Sequence, residues 1–247
     1  AMLTNLATPI GSAFVLKSVA QFGDGAVAGA AIMGRITPLA FAAVFALSSA
    51  VGPIVGQNAG AGLYDRVRLT LINAMLFNVG YVLLVWLLLW QCAELIITAF
   101  SAGPDAADLI RFYTHYMVGA FLFTGGLFIA NASFNNLHRP GLATAFNFAR
   151  VFLGIIPAVY FGAEYYGAKG VIAGEALGSV VFGLVGVIAV FVLIRTLEDR
   201  HALEAPEYGP PASTVGSFSS AHSQMAQSVV QSSAEVVVDA TGDLRQK

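Results

Sequence analysis

The chain has 247 residues, of which 57% are hydrophobic and only 11% are charged, and its mean hydropathy is +0.75. Soluble domains carry about 25% charged residues, so this composition excludes an ordinary soluble domain and predicts a membrane protein. A net charge of −2 excludes a basic surface for nucleic acid, and one cysteine with four scattered histidines predicts neither a disulfide framework nor a metal site.

Six apolar segments occupy the first 196 residues, and each approaches the roughly 20 residues that a helix needs to cross a bilayer. They predict an all-α integral membrane fold, a bundle of six transmembrane helices over residues 1–196. Pro38 and Pro53 interrupt the second segment, and Gly103-Pro104 closes a short interfacial stretch at 93–107. The spans are expected at about 3–22, 26–55, 69–90, 109–133, 142–162 and 171–196.

The last segment of the chain, residues 197–247, is polar and rich in serine. It cannot bury enough apolar surface to offset the entropy of ordering, which predicts a disordered tail.

Five arginines fall in the loops after spans two, four and six, and the opposite loops are more acidic. Because cytoplasmic loops carry the excess of Lys and Arg, the chain start and the tail are expected to be cytoplasmic.

Four ionisable side chains lie inside the predicted spans: Lys17, Arg35, Arg150 and Glu175. Each costs roughly 2.5–3.5 kcal/mol at a helix centre on insertion scales, so each is a candidate for function. Three interpretations remain open. The charges pair and lock helices together, they line a polar cavity for a solute or ion, or they extend to the membrane surface.

The fourth span adds the polar residues Thr124, Asn131 and Asn135, of which the two asparagines share one helix face. Such side chains either bond to a neighbouring helix or line a substrate path.

No serine, threonine or cysteine stands in a recognisable arrangement with a histidine base, and the Gly-rich run 56–62 follows a helix rather than a strand. The sequence therefore predicts that the chain is not an enzyme.

Residues 51–62, VGPIVGQNAGAG, followed by DRVR at 65–68, resemble the multidrug and toxic compound extrusion (MATE) family. Weaker matches stand in the expected order: Arg35 in the second span, 136–141 after the fourth, and Arg150 with Ile156-Pro157 in the fifth. The resemblance covers residues 1 to about 196 and does not include the tail.

The resemblance implies one lobe, the C-terminal one, of a transporter with twelve helices in two six-helix lobes. Such transporters export small organic or drug-like solutes in exchange for sodium ions or protons, and need no cofactor. The implied partners are the lipid bilayer, the solute and an N-terminal lobe of the same protein, in a bacterial inner membrane. Some members carry acids where Lys17 and Thr124 stand here, which places the coupling-ion site outside this chain.

The predicted function is therefore a secondary antiporter for organic solutes. Two alternatives stay open: a flippase of the same superfamily for lipid-linked saccharides or peptidoglycan precursors, and a six-helix membrane protein that does not transport. The residues predicted to line the substrate cavity are Lys17, Arg35, Thr124, Asn131 and Glu175, and those predicted to act in structure or gating are Pro38, Gln57, Asn58 and Arg150.

Overall fold

The computed structural model describes residues 7–204, and every regular element within them is helical. This confirms the predicted all-α fold. The α-helices are α1 (Ala7–Ala20), α2 (Asp24–Ala40), α3 (Ala42–Gly60), α4 (Tyr64–Gln91), α5 (Ala93–Ala99), α6 (Pro104–Phe112), α7 (Phe121–Asn136), α8 (Pro140–Ala149) and α9 (Ile156–Glu204).

The predicted second span is two helices rather than one. Pro38 has no backbone N–H to continue the hydrogen-bond ladder, and the helix breaks three residues later at Phe41, whose φ and ψ are −107° and 17°. Pro53, in contrast, lies inside an unbroken α3. The sequence placed one span at about 26–55, punctuated by both prolines and with Pro38 as a candidate bend. The structure breaks this span after Pro38 and leaves the helix unbroken at Pro53.

Two π-helical turns join helices that the sequence treats as continuous. Residues Tyr113–Met117 form a π turn, and a 3₁₀ turn at Val118–Ala120 then leads into α7. Residues Arg150–Ile155 form a second π turn between α8 and α9. Such turns insert an extra residue into the helix and often occur at functional sites.

Helix α9 reverses direction at Gly167, whose φ of 63° and ψ of −145° are left-handed and non-helical. The fifth predicted span comprises most of α8, the second π turn and the start of the first arm of this hairpin, and the sixth lies in the second arm. Small residues face each other across it at regular four-residue intervals. A methyl group at Gly174 would lie 2.5 Å from the Ala158 carbonyl oxygen, and one at Gly178 would lie 2.6 Å from the Ile155 amide nitrogen. The arms therefore touch backbone to backbone, as small residues allow in membrane helices.

Four helical stretches among the described residues are long and apolar enough to cross a membrane: Ala42–Gly60, Tyr64–Gln91, Pro104–Asn136 and Pro140–Leu203. The last contains both arms of the α9 hairpin. Along α4, large apolar side chains such as Leu76, Leu84 and Trp90 are exposed rather than buried. An all-round apolar helix with an exposed apolar face suits lipid, where every backbone polar group is satisfied within the helix.

The two ends of the bundle carry different charges. At one end, the Tyr64 ring lies 5.5 Å from the His201 ring, near Arg66 and Arg68 in the first turns of α4. At the other end, Lys169 Nζ lies 2.7 Å from Asp108 Oδ2, and Arg111 Nε lies 2.6 Å from Glu94 Oε1. Helix α9 continues to Glu204, beyond the predicted boundary at residue 196, and the rest of the predicted tail lies outside the described residues.

Candidate functional site

A cavity of about 540 Å³ lies among α1, α2, α7, the two π turns and the second arm of α9. Its volume falls within the roughly 300–1,000 Å³ of sites that hold small molecules. Most of the lining is apolar, and a few polar groups converge on it. The polar lining residues are Thr8, Ser12, Thr37, Tyr113, Thr124, Arg150, Glu175 and Ser179.

The first π turn contributes two residues to this cavity, Tyr113 and Met117. The Tyr113 hydroxyl oxygen lies 2.8 Å from Thr37 Oγ1, just before the proline that ends α2. This hydrogen bond joins the broken helix α2 to the π turn. The break and the turn together bring two hydroxyl groups to the cavity wall.

The charged groups of the cavity are Arg150 and Glu175. Arg150 is the first residue of the second π turn and is only 7% exposed, and its Nε has no hydrogen-bond partner among the described residues. Glu175 lies on the facing arm of α9 and interacts electrostatically with Arg150. The two side chains do not approach within the 4 Å of an ion pair, since the described residues form only the two exposed pairs at one end of the bundle.

Aromatic and thioether side chains form part of the apolar wall, beside aliphatic residues. Phe45 and Phe128 lie with ring centroids 5.3 Å apart, and Phe121 stacks on the buried Phe41 at 3.8 Å. Met33 and Met117 also line the cavity. Aromatic faces and flexible methionines can accommodate ligands of differing outline, so this wall favours shape tolerance over a single tight fit.

The structure brings only part of the predicted cavity set together. Thr124 and Glu175 line the cavity, whereas Asn131 is buried away from it and its Oδ1 has no partner among the described residues. Lys17 and Arg35 are exposed on α1 and α2 and do not line it. Both helices present another face to the cavity, so depth along the span alone does not predict which charges point inward.

The residues predicted for structure or gating also divide into two groups. Pro38 and Arg150 line the cavity. Gln57 and Asn58 instead lie in the last turn of α3, where Asn58 Nδ2 donates to the Ile54 carbonyl at 2.8 Å. The sequence analysis did not predict the hydrogen bond between Tyr113 and Thr37 at the cavity wall. A tyrosine hydroxyl within an apolar span is nevertheless a signal that a polar partner is needed.

The glycine-rich end of α3 is a packing surface. A methyl group at Gly52 would lie 2.5 Å from Asn136 Nδ2, and one at Gly56 would lie 3.3 Å from the Asn136 Cβ. Asn136 in turn donates to the Ala132 carbonyl at 2.8 Å. The segment VGPIVGQ thus lets α3 and α7 approach closely, beside the cavity rather than in it.

An all-helical bundle with exposed apolar faces and a mostly apolar cavity between its helices is typical of an integral membrane protein that carries solutes. The MatE family profile matches residues 1–160. The chain therefore belongs to the MatE family, whose members are transporters and not enzymes. Both the predicted family and the prediction that the chain is not an enzyme are confirmed by this match.

Two curated relatives align with three quarters of the chain. A 21 kDa protein in the iaaL 5′ region of Pseudomonas savastanoi is 31% identical over 196 residues, covering 76% of this chain and 62% of the relative. A protein of Shewanella oneidensis named FAD transporter is 27% identical over 184 residues, covering 74% of this chain and 41% of the relative.

Among solved structures, a mutant of the Vibrio cholerae MATE transporter VcmN is similar, with a TM-score of 0.75 and 25% identity. The match covers 80% of this chain and 45% of that protein. The chain thus spans less than two thirds of the length of these relatives, in agreement with an arrangement in which it supplies one part of a transporter.

Proposed function

We propose that the chain forms one six-helix half of a MATE-type secondary antiporter that moves small organic solutes across a membrane. The observation that supports this is the 540 Å³ cavity, which has an aromatic wall and carries one cationic and one anionic side chain. In secondary transporters, binding sites lie near the midplane between two repeats, and rocking of one half against the other exposes them alternately.

The cavity has features of a cargo site rather than of a tightly defined ion site. Its walls are largely apolar, with aliphatic, phenyl and thioether side chains, and Glu175 is the single acidic side chain on the lining. The described residues contain no cluster of His, Cys, Asp and Glu able to hold a metal ion. We further propose that the coupling sodium ion or proton binds in a part of the transporter outside this chain.

The second half of the transporter would complete the cleft. The solved relatives are about twice as long as the part that this chain matches. The first turns of α4, which carry Arg66 and Arg68, and the last turns of α9 lie together at one end of the bundle, which supports a cytoplasmic location for that end. The proposed location is the bacterial inner membrane.

A transport assay with the protein taken from its native membrane tests this function. The chain is tagged, purified with any polypeptide that accompanies it, and reconstituted in liposomes with an imposed sodium or proton gradient. Movement of ethidium and of flavin mononucleotide is followed by fluorescence; the flavin is included because one relative is named FAD transporter. We expect gradient-dependent movement of at least one solute, abolished when an ionophore dissipates the gradient.

Two glycine variants make the assay specific for the cavity. A side chain at Gly34 would project into open space beside the cavity that Gly34 lines, so Gly34→Phe should fill part of it and reduce transport. Gly80 on α4 also has open space around it but lies on the exposed apolar face, so Gly80→Phe serves as the matched control. Absence of gradient-dependent flux of either solute, or equal loss in both variants, would overturn the proposal.

A further inference from the structure

The Arg150 guanidinium is the most unusual group inside the described part of the chain. It is 93% buried from solvent by the bundle, since only 7% of the residue is exposed, yet its Nε donates to no acceptor among the described residues. The side chain lines the cavity from the start of a π turn. Buried arginines are normally matched by carboxylates, phosphates or carbonyl oxygens, because an unpaired buried charge is costly.

Among the described residues, Arg150 is the one cationic side chain that lines this cavity. The remaining lining residues are apolar or neutral except for Glu175, and the exposed Lys17, Arg35 and Lys169 lie elsewhere. Glu175 reduces the cost of burying Arg150 through a longer-range attraction but does not form an ion pair with it. The Arg150 side chain therefore lines the cavity without a hydrogen-bond acceptor among the described residues.

The walls around Arg150 suit a flat ring. Phe121 and Phe128 lie on α7, Phe45 lies at the start of α3, and Tyr113 lies on the first π turn. The Phe45 and Phe128 rings are tilted by 40° to each other, which leaves faces and edges for a planar ligand to pack against.

We infer that this cavity selects aromatic anions. A carboxylate or phosphate would accept hydrogen bonds from Arg150, and the flat ring would pack on the phenyl side chains. Glu175, which makes no hydrogen bond within the described residues, would accept N–H or O–H groups of the same ligand. This inference rests on the proposed function in one respect: it names the class of solute that the proposed transporter would carry.

The opposite selection, for an aromatic cation paired with Glu175, is the competing outcome. Glu175 likewise makes no hydrogen bond within the described residues, but its surface is partly exposed, whereas that of Arg150 is buried. Charge-assisted hydrogen bonds to a guanidinium are also directional and often bidentate, which discriminates ligands by their acidic group.

Binding of two flavins that differ by one phosphate tests the inference without any need for transport. Riboflavin and flavin mononucleotide share one ring system, and ethidium supplies a flat aromatic cation of comparable size. Each is titrated against the purified protein in detergent, with fluorescence as the readout. We expect flavin mononucleotide to bind at least about tenfold more tightly than riboflavin, as a charge-assisted hydrogen bond implies.

Arg150→Gln should remove the preference for the phosphate while riboflavin affinity stays nearly unchanged. Arg150→Lys should retain part of the preference, because the charge remains while the planar fork is lost. The matched control is Arg195→Gln, which removes an exposed arginine from α9 away from the cavity. A melting curve for each variant shows whether it is folded, and the Arg150→Lys result carries the test if Arg150→Gln fails to fold.

Equal affinity for the two flavins, preference for ethidium, or absence of binding by all three probes would overturn the inference. Its failure is separable from failure of the proposed function. Phosphate-selective binding without gradient-dependent flux would support the anion site and contradict the antiporter. Gradient-dependent flux of ethidium without phosphate-selective binding would support the antiporter and contradict the anion site.

Discussion

Thr37 and Tyr113 are hydrogen-bonded through their hydroxyl groups, which lie 2.8 Å apart although the residues are 76 positions apart in the chain. Both line the cavity. The bond connects the end of α2, where Pro38 weakens the backbone ladder, with a π turn whose own hydrogen bonds are irregular. It therefore stabilises two irregular segments against each other.

We expect Tyr113→Phe and Thr37→Val each to destabilise the protein by about 0.5–1.5 kcal/mol, the net value of one such hydrogen bond. Because either change alone removes the same bond, the double variant should cost less than the sum of the two. Thermal unfolding in detergent measures the three values. Simple additivity would show that the hydroxyl groups are not coupled.

The glycines of the α9 hairpin should tolerate no side chain. A methyl group at Gly178 would lie within 2.6–2.9 Å of backbone atoms of Gly154 and Ile155, which cannot rotate away. We expect Gly178→Ala to destabilise the protein by about 1–3 kcal/mol, as overpacking does. Since Arg150 lies at the start of the adjoining π turn, the same variant should also lower ligand affinity.

Gly80→Ala provides the control for that substitution. Gly80 also lies inside a helix, but a methyl group there would meet no atom within 4 Å. Alanine favours a helix over glycine by about 1 kcal/mol, so this variant should be as stable as the parent or more stable. If Gly178→Ala melted at the parent temperature, the close contact between the arms would be disproved.

The exposed ion pair between Glu94 and Arg111 makes a small, pH-dependent contribution to stability. Hydrogen bonds from the Arg111 guanidinium, at 2.6 and 2.9 Å, lower the pKa of the Glu94 carboxyl below its usual value of 4.5. Since the folded-state pKa is the lower one, this contribution is fully present above pH 4.5 and is lost as the pH falls through the folded-state pKa.

Glu94→Gln should therefore reduce the melting temperature slightly at neutral pH and make it less sensitive to acid. The effect should shrink at high salt, because exposed pairs are screened. Melting curves from neutral to acidic pH, with and without added salt, give the comparison. Parallel pH profiles for the parent and the variant would show that the pair does not contribute.

The sequence predicts the membrane class, most of the spans and the family, because apolar length and the VGPIVGQNAGAG run are local properties of the chain. The position of the helix break at Phe41 was harder to predict from the sequence, since Pro38 and Pro53 are alike in sequence and only tertiary packing distinguishes them. The Gly167 reversal was predicted in position but not in geometry. Long apolar runs thus predict which segments are helices better than they predict how those helices bend.

The cavity was predicted less completely than the fold. Of the residues predicted for the cavity, Glu175 and Thr124 lie on its wall, but depth along a span says nothing about rotation around the helix axis. Two irregular turns set that rotation for Tyr113 and Arg150, and π turns leave no clear signal in a single sequence. The inward-facing charges therefore follow from the structure rather than from hydropathy.

Variants at Lys17 and Glu175 distinguish the sequence-based cavity from the structural one. Lys17 is exposed on α1 and lies outside the lining, whereas Glu175 faces Arg150 across the cavity. We expect Glu175→Gln to change solute affinity several-fold, because removing its charge leaves buried Arg150 without compensation and alters the charge offered to a ligand. Lys17→Gln should leave that affinity unchanged. Titration of flavin mononucleotide and ethidium against both variants provides the measurement, and a larger effect at Lys17 would place the solute on the other face of α1.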